Sequence, residues 1–186
     1  MARWDRLFRD LEAQLAAEEV RDLRAEVADR TRRERALVEL RARLLANIGT
    51  VVAVRTPAAS YEGALAEAGA DWLLLHAAAE RPVLLPTSAI RSVTGLRPGA
   101  QEPSLVTKGL HLGAALRAIS RDRAVVRLMD LEGRGLTGTI DAVGADHVEL
   151  AEHHADEPRR AGNLRGSHVV PLHGLAAVVR VGSGGA

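Results

Sequence analysis

Two regimes of hydrophobic spacing divide the chain. Over residues 1–48, which contain neither glycine nor proline, apolar side chains recur every three or four positions. Trp4, Phe8, Leu11 and Leu15 fall 4, 3 and 4 apart, and Val20, Leu23 and Val27 resume at 3 and 4 after a slip. That is the period of a helix with one apolar face. Acid-before-base pairs four residues apart, such as Asp5–Arg9 and Glu39–Arg43, add weak support. Thr31-Arg32-Arg33-Glu34 has the form of a capping box, so a second helix is expected to start near Arg32 and end near Asn47, with Gly49 just beyond it.

From Gly49 the period shortens. Val51, Val52 and Val54 predict a strand, and Tyr61, Gly63 and Leu65 a second, with Pro57 in the turn between. Trp72–Leu75 predicts a buried third strand, Val83–Leu85 a fourth, and Ile90 with Val93 a short fifth. Residues 97–109 form a linker that includes Arg97-Pro98-Gly99 and Pro103, after which Leu110–Ile119 returns to helical spacing.

The strand pattern then repeats. Gly69–Leu75, GADWLLL, returns 75 positions later (144 − 69) as Gly144–Leu150, GADHVEL. The same offset maps Val51 to Val126, Gly63 to Gly138, Leu65 to Ile140 and Asp71 to Asp146. Past this point the offset becomes 85, mapping Pro86 to Pro171 and Val93 to Val178. The ten extra residues lie within His153–His168, where a turn is expected, and turns accept insertions most readily.

The expected architecture is α+β. A helical arm over 1–33 leads to one helix-plus-barrel unit over 34–96, the linker 97–109, a second such unit over 110–181, and a disordered tail over 182–186. Each unit pairs one helix with five short strands, the pattern of a small β-barrel or sandwich.

The two stretches GALAEAGADWLLL and GTIDAVGADHVEL, with VLLPTSAI and VVPLHGL after them, resemble the Sm-like branch of the SH3-like small barrels, in particular the bacterial Sm-like RNA chaperones. In that family a glycine bends the second strand and an aspartate marks the following turn. Gly63 and Gly138 stand at the first place, Asp71 and Asp146 at the second. The resemblance implies two tandem five-stranded barrels and places His173 at the family's RNA-reading histidine, with Leu172 in the lysine position.

Composition narrows the function. The chain has 186 residues, a formal net charge of +1 and four aromatic residues, Trp4, Phe8, Tyr61 and Trp72. It therefore has no global pull on nucleic acid and little of the stacking surface that grips single strands. There is no cysteine, which excludes disulfides, thiolate metal sites and a cysteine nucleophile. No apolar run approaches the ~20 residues needed to cross a bilayer, and residues 1–15 lack a signal-peptide core. A cytoplasmic protein is expected.

No nucleophile elbow or phosphate loop occurs, so no enzymatic activity and no cofactor are expected. His153, His154, Asp156 and Glu157 are ligand types without ligand spacing, and they are read as a solvated loop, not a metal site. Arg159, Arg160 and Arg165 make the same loop locally basic and, with His173, are the candidate nucleic-acid contacts. Two functions follow. One is a non-enzymatic binding and assembly module, with Trp4, Phe8, Leu11 and Leu15 as the face that meets a protein partner or a second copy. The other is an RNA- or DNA-binding regulatory protein.

Overall fold

The computed structural model describes residues 36–77, 81–104, 109–157 and 159–181, together with residues 23, 26, 29, 30, 32, 33 and 107. The chain forms two compact units, residues 1–39 and residues 40–186.

In the first unit, Leu23, Glu26, Asp29, Arg30, Arg32, Arg33 and Ala36 have helical backbone, and Arg32 pairs with Asp29. Helical residues lie on both sides of position 31, and residues 37–39 are not helical. Thr31 and Glu34, the two ends of the expected capping box, lie outside the described residues. Trp4, Phe8, Leu11 and Leu15 lie outside the described residues.

Among the described residues the second unit has two regular α-helices, α1 (Leu40–Leu45) and α2 (Leu112–Arg121), and ten strands. The first five are β1 (Val51–Arg55), β2 (Ser60–Ala68), β3 (Trp72–Ala77), β4 (Pro82–Pro86) and β5 (Ser92–Thr94). The second five are β6 (Val125–Asp130), β7 (Gly135–Val143), β8 (His147–Glu152), β9 (Gly166–Pro171) and β10 (Leu175–Arg180). The ten extra residues of the second half fall between β8 and β9, in a turn. Gly49 follows α1 at φ +84°, a conformation that suits glycine.

The repeat is visible in the hydrogen-bond register. Gly63 lies opposite Val52 and Ala77, and Gly138 lies opposite Val126 and Glu152. The first strands are thus offset by 74 (126 − 52), one less than the 75 read from Val51. A bulge follows Leu65 in β2 and Ile140 in β7. Trp72 faces Pro86 across β3 and β4, as His147 faces Pro171 across β8 and β9.

The expected pair of separate five-stranded barrels behind a helical arm is not what forms. All ten strands belong to one open antiparallel sheet in the order β5-β1-β2-β3-β4-β10-β6-β7-β8-β9. Among the described residues the two regular helices of this unit lead into β1 and β6, and neither is an arm. The halves fuse because β4 pairs with β10, Leu84 opposite Val178 and Val83 opposite Val179. These strands have no water-facing side. Val83 and Leu85 join a core with Leu44, Val52, Leu65 and Leu75, whereas Leu84, between them, joins a second core with Leu116, Ile140 and Leu150. In β10, Ala177 belongs to the first core and Leu175 and Val178 to the second. Strands buried on both faces read as continuous apolar runs, as VLL and LAAVV do.

Candidate functional site

The fusion of the halves builds a groove of about 530 Å³. The β2–β3 turn contributes Asp71, and the turn after β4 contributes Thr87 and Ser88. The α2 helix contributes Arg117 and, just before its first residue, His111, and the turn after β9 contributes His173.

Asp71 organises this groove. Its Oδ1 accepts the amide hydrogen of Leu112 at 2.6 Å and so caps α2, while its backbone oxygen accepts from Thr87 at 2.9 Å. His111 Nδ1 lies 3.5 Å from Asp71 Oδ2. Next to it, Trp72 Nε1 donates to the Leu110 carbonyl at 2.9 Å. The carboxylate is therefore engaged, and Arg117, His173 and the hydroxyl-bearing Thr87 and Ser88 also line the groove. Among the described residues no hydrogen bond joins either hydroxyl to an imidazole.

The equivalent place in the second half is differently occupied. The Asp146 backbone oxygen accepts from Leu172 at 2.7 Å, as Asp71 accepts from Thr87. Its side chain, 88% exposed, bonds His147 Nδ1 at 2.8 Å, and this contact holds the carboxyl below its ordinary value. Among the described residues no helix end meets it.

Two arginines of the inserted turn have side-chain partners. Arg159 donates to Asp141 at 2.5 Å, a contact that holds the guanidinium still more firmly in its charged form. Arg165 contacts His154, and Arg160 is exposed. His153 is buried, its Nε2 2.8 Å from Thr139 Oγ1 and its Nδ1 donating to the His154 carbonyl at 2.7 Å. Among the described residues no group of three or more histidine and carboxylate side chains is placed to hold a metal ion. Of the four residues read as nucleic-acid contacts, His173 lines the groove, while Arg159, Arg160 and Arg165 do not.

A second surface is the outer edge of the sheet at β9. The strand pairs with β8 along Gly166–Pro171, and no described strand pairs with its other side. Val169 on this strand is 66% exposed. Sequence reasoning missed this edge, although the signal existed. Val169-Val170 repeats Leu84-Leu85 of the junction strand, and an apolar residue repeated at an edge implies a neighbour. No helix among the described residues is long and apolar enough to cross a membrane. No protein-family model matches the chain, and no curated protein is similar to it in sequence.

Proposed function

We propose that the protein is a non-enzymatic binding and assembly module that takes up a protein strand along the open side of β9. The observation that carries this reading is Val169, a large apolar side chain exposed on a six-residue strand at the end of the sheet. Open edges invite pairing, and proteins usually blunt them with charge, proline or short length. The opposite end, β5, has three residues and is blunted in that way. On β9 only Pro171, at the terminus, has a blunting role. An added strand would gain main-chain hydrogen bonds, with alternate side chains setting the preference. The absence of cysteine fits a reducing, cytoplasmic setting.

Peptide display tests the reading. Selection on the protein should enrich extended peptides with alternating apolar residues, and the Val169→Arg variant should not retain them. Equal retention by both proteins rejects the β9 edge as the binding site.

A second reading has its own observation: Arg117 and His173 line an open groove with two hydroxyls. That set suits phosphate oxygens. Titration with RNA and DNA at two salt concentrations separates the readings, since charge-driven binding must weaken steeply with salt. An interaction that Arg117→Ala with His173→Ala weakens, and Val169→Arg leaves alone, would favour nucleic acid.

A further inference from the structure

The chain contains one example of the contact that its own free ends lack. Inside the molecule, the fourth strand of the first set, β4, pairs with the fifth strand of the second set, β10. The strands left at the two ends of the sheet are the fourth strand of the second set, β9, and the fifth strand of the first set, β5. Each end is therefore one half of a junction already made in the middle. We infer that β9 of one molecule pairs with β5 of a second copy of this chain, in the register of the β4–β10 junction.

That register can be written out. Val93 lies opposite Val54 in the first set as Val178 lies opposite Leu128 in the second. Val93 and Val178 are therefore equivalent, at an offset of 85 (178 − 93). Leu84 lies opposite Leu74 as Val169 lies opposite Glu149, which gives the same offset (169 − 84). The junction pairs Leu84 with Val178 and Val83 with Val179. The second copy must then place Val169 opposite Val93 and His168 opposite Thr94.

Three side-chain features agree. Leu84 is 3% exposed in the junction, while its equivalent Val169 is 66% exposed at the end. Asp71 caps α2 across the junction, while its equivalent Asp146 has an exposed carboxylate and no helix to cap among the described residues. The third feature concerns the helices. Leu116 and Leu44 are the fully buried leucines of α2 and α1, and Leu112 and Leu40 each stand four residues before them. Leu112, beside Asp71, is 5% exposed; Leu40 is 42% exposed. Among the described residues the β9 end thus presents a strand and a cap without partners, and the β5 end presents a strand and a helix start without either.

The exposed version is also more polar than the internal one. His147 replaces Trp72, Glu149 replaces Leu74 and His168 replaces Val83. A surface that meets water before it meets its partner must tolerate both, whereas the internal junction never opens. The contact is head-to-tail: one patch meets a different patch, which gives a closed ring or a chain according to the rotation per copy.

This inference rests on the edge-binding reading, and the two can fail separately. The first measurement is the mass of the full chain in solution by sedimentation across a hundredfold range of concentration. Assemblies of more than one copy are expected, and Val169→Arg should weaken them about tenfold or more while leaving the circular-dichroism spectrum unchanged. The second measurement uses the lack of native cysteine. On oxidation the double variant His168→Cys with Thr94→Cys should form disulfide-linked assemblies, and neither single variant should link through this contact, because its one cysteine faces a residue without a thiol. A wild-type monomer throughout the range overturns the inference, as does an assembly indifferent to Val169→Arg or a double variant that links no further than the singles. If the monomer still binds alternating apolar peptides through β9, only the identity of the partner is wrong.

Discussion

The Asp71 carboxylate accepts the amide hydrogen of Leu112 at 2.6 Å, across 41 residues of sequence. A turn in the first strand set thereby caps the helix that opens the second. Asp71→Ala should cost about 1 kcal/mol of folding stability, the usual loss for a removed cap, and Asp71→Asn should retain most of it. Asp146→Ala, in dilute monomer, should stay within about 0.5 kcal/mol of the parent. Chemical denaturation measures all three, and equal losses at the two aspartates would remove the asymmetry claimed for them.

Gly63 and Gly138 tolerate no side chain. A β-carbon on Gly63 would lie 2.2 Å from the His76 carbonyl oxygen, and one on Gly138 would lie 2.0 Å from that of Ala151. The atom met is backbone in both cases, so the strand pair itself must move. Each alanine substitution should destabilise by about 1–3 kcal/mol or more, seen as a lower denaturant midpoint at unchanged slope. Wild-type midpoints in both variants would contradict the register.

Trp72 serves the second core and donates to the Leu110 carbonyl. That carbonyl also accepts the amide of Ala70 at 2.8 Å, so Trp72→Phe strands no buried acceptor and should cost about 1 kcal/mol. Trp72→Ala should cost about 3–5 kcal/mol, because it empties a packed site. A phenylalanine variant as unstable as the alanine variant would show that the hydrogen bond, not the ring, dominates.

Asp130 closes the β6–β7 hairpin. Its carboxylate accepts the amides of Arg134 at 2.8 Å and Glu132 at 2.9 Å, and the Arg134 side chain at 3.0 Å. These bonds, the Arg134 amide foremost, hold its pKa below the ordinary 3.8. A carboxylate depressed in the folded state contributes stability above its unfolded value and loses it as the pH falls through the folded one. The difference in stability between the parent and Asp130→Asn should therefore be constant from pH 7 down to about 5 and shrink below pH 4. A gap that survives to pH 2 would assign it to something other than this ionisation.

The strands were legible because alternation and turn residues act locally: Val52 and Val54 point inward, Pro57 turns the chain, and Gly63 permits the close pass to β3. The repeat was legible because the same residues solve the same local problem twice. The closure of each set was not. Whether β4 ends a barrel or continues a sheet depends on what lies beyond it, nearly a hundred residues away at Val178. The apolar triplet Val83-Leu84-Leu85 held the clue, since a strand with one wet face would alternate. Of the candidate site, Asp71 was placed at the turn after the second strand, but the helix it caps lies across the linker, where no local pattern reaches. The arginines of the inserted turn looked free because Asp141, the partner of Arg159, is 18 residues away.

Because β4 and β10 form a wall between two cores, residues 40–186 have no seam along which they can be cut. Severing the chain within residues 97–109 leaves one fragment with Leu84 bare and another with Val178 bare. Heating should melt both cores together, as a single calorimetric peak whose van't Hoff and measured enthalpies agree. An engineer can lengthen the turn between β8 and β9, as the second half already does, but cannot borrow one half as a tool without supplying its missing neighbour.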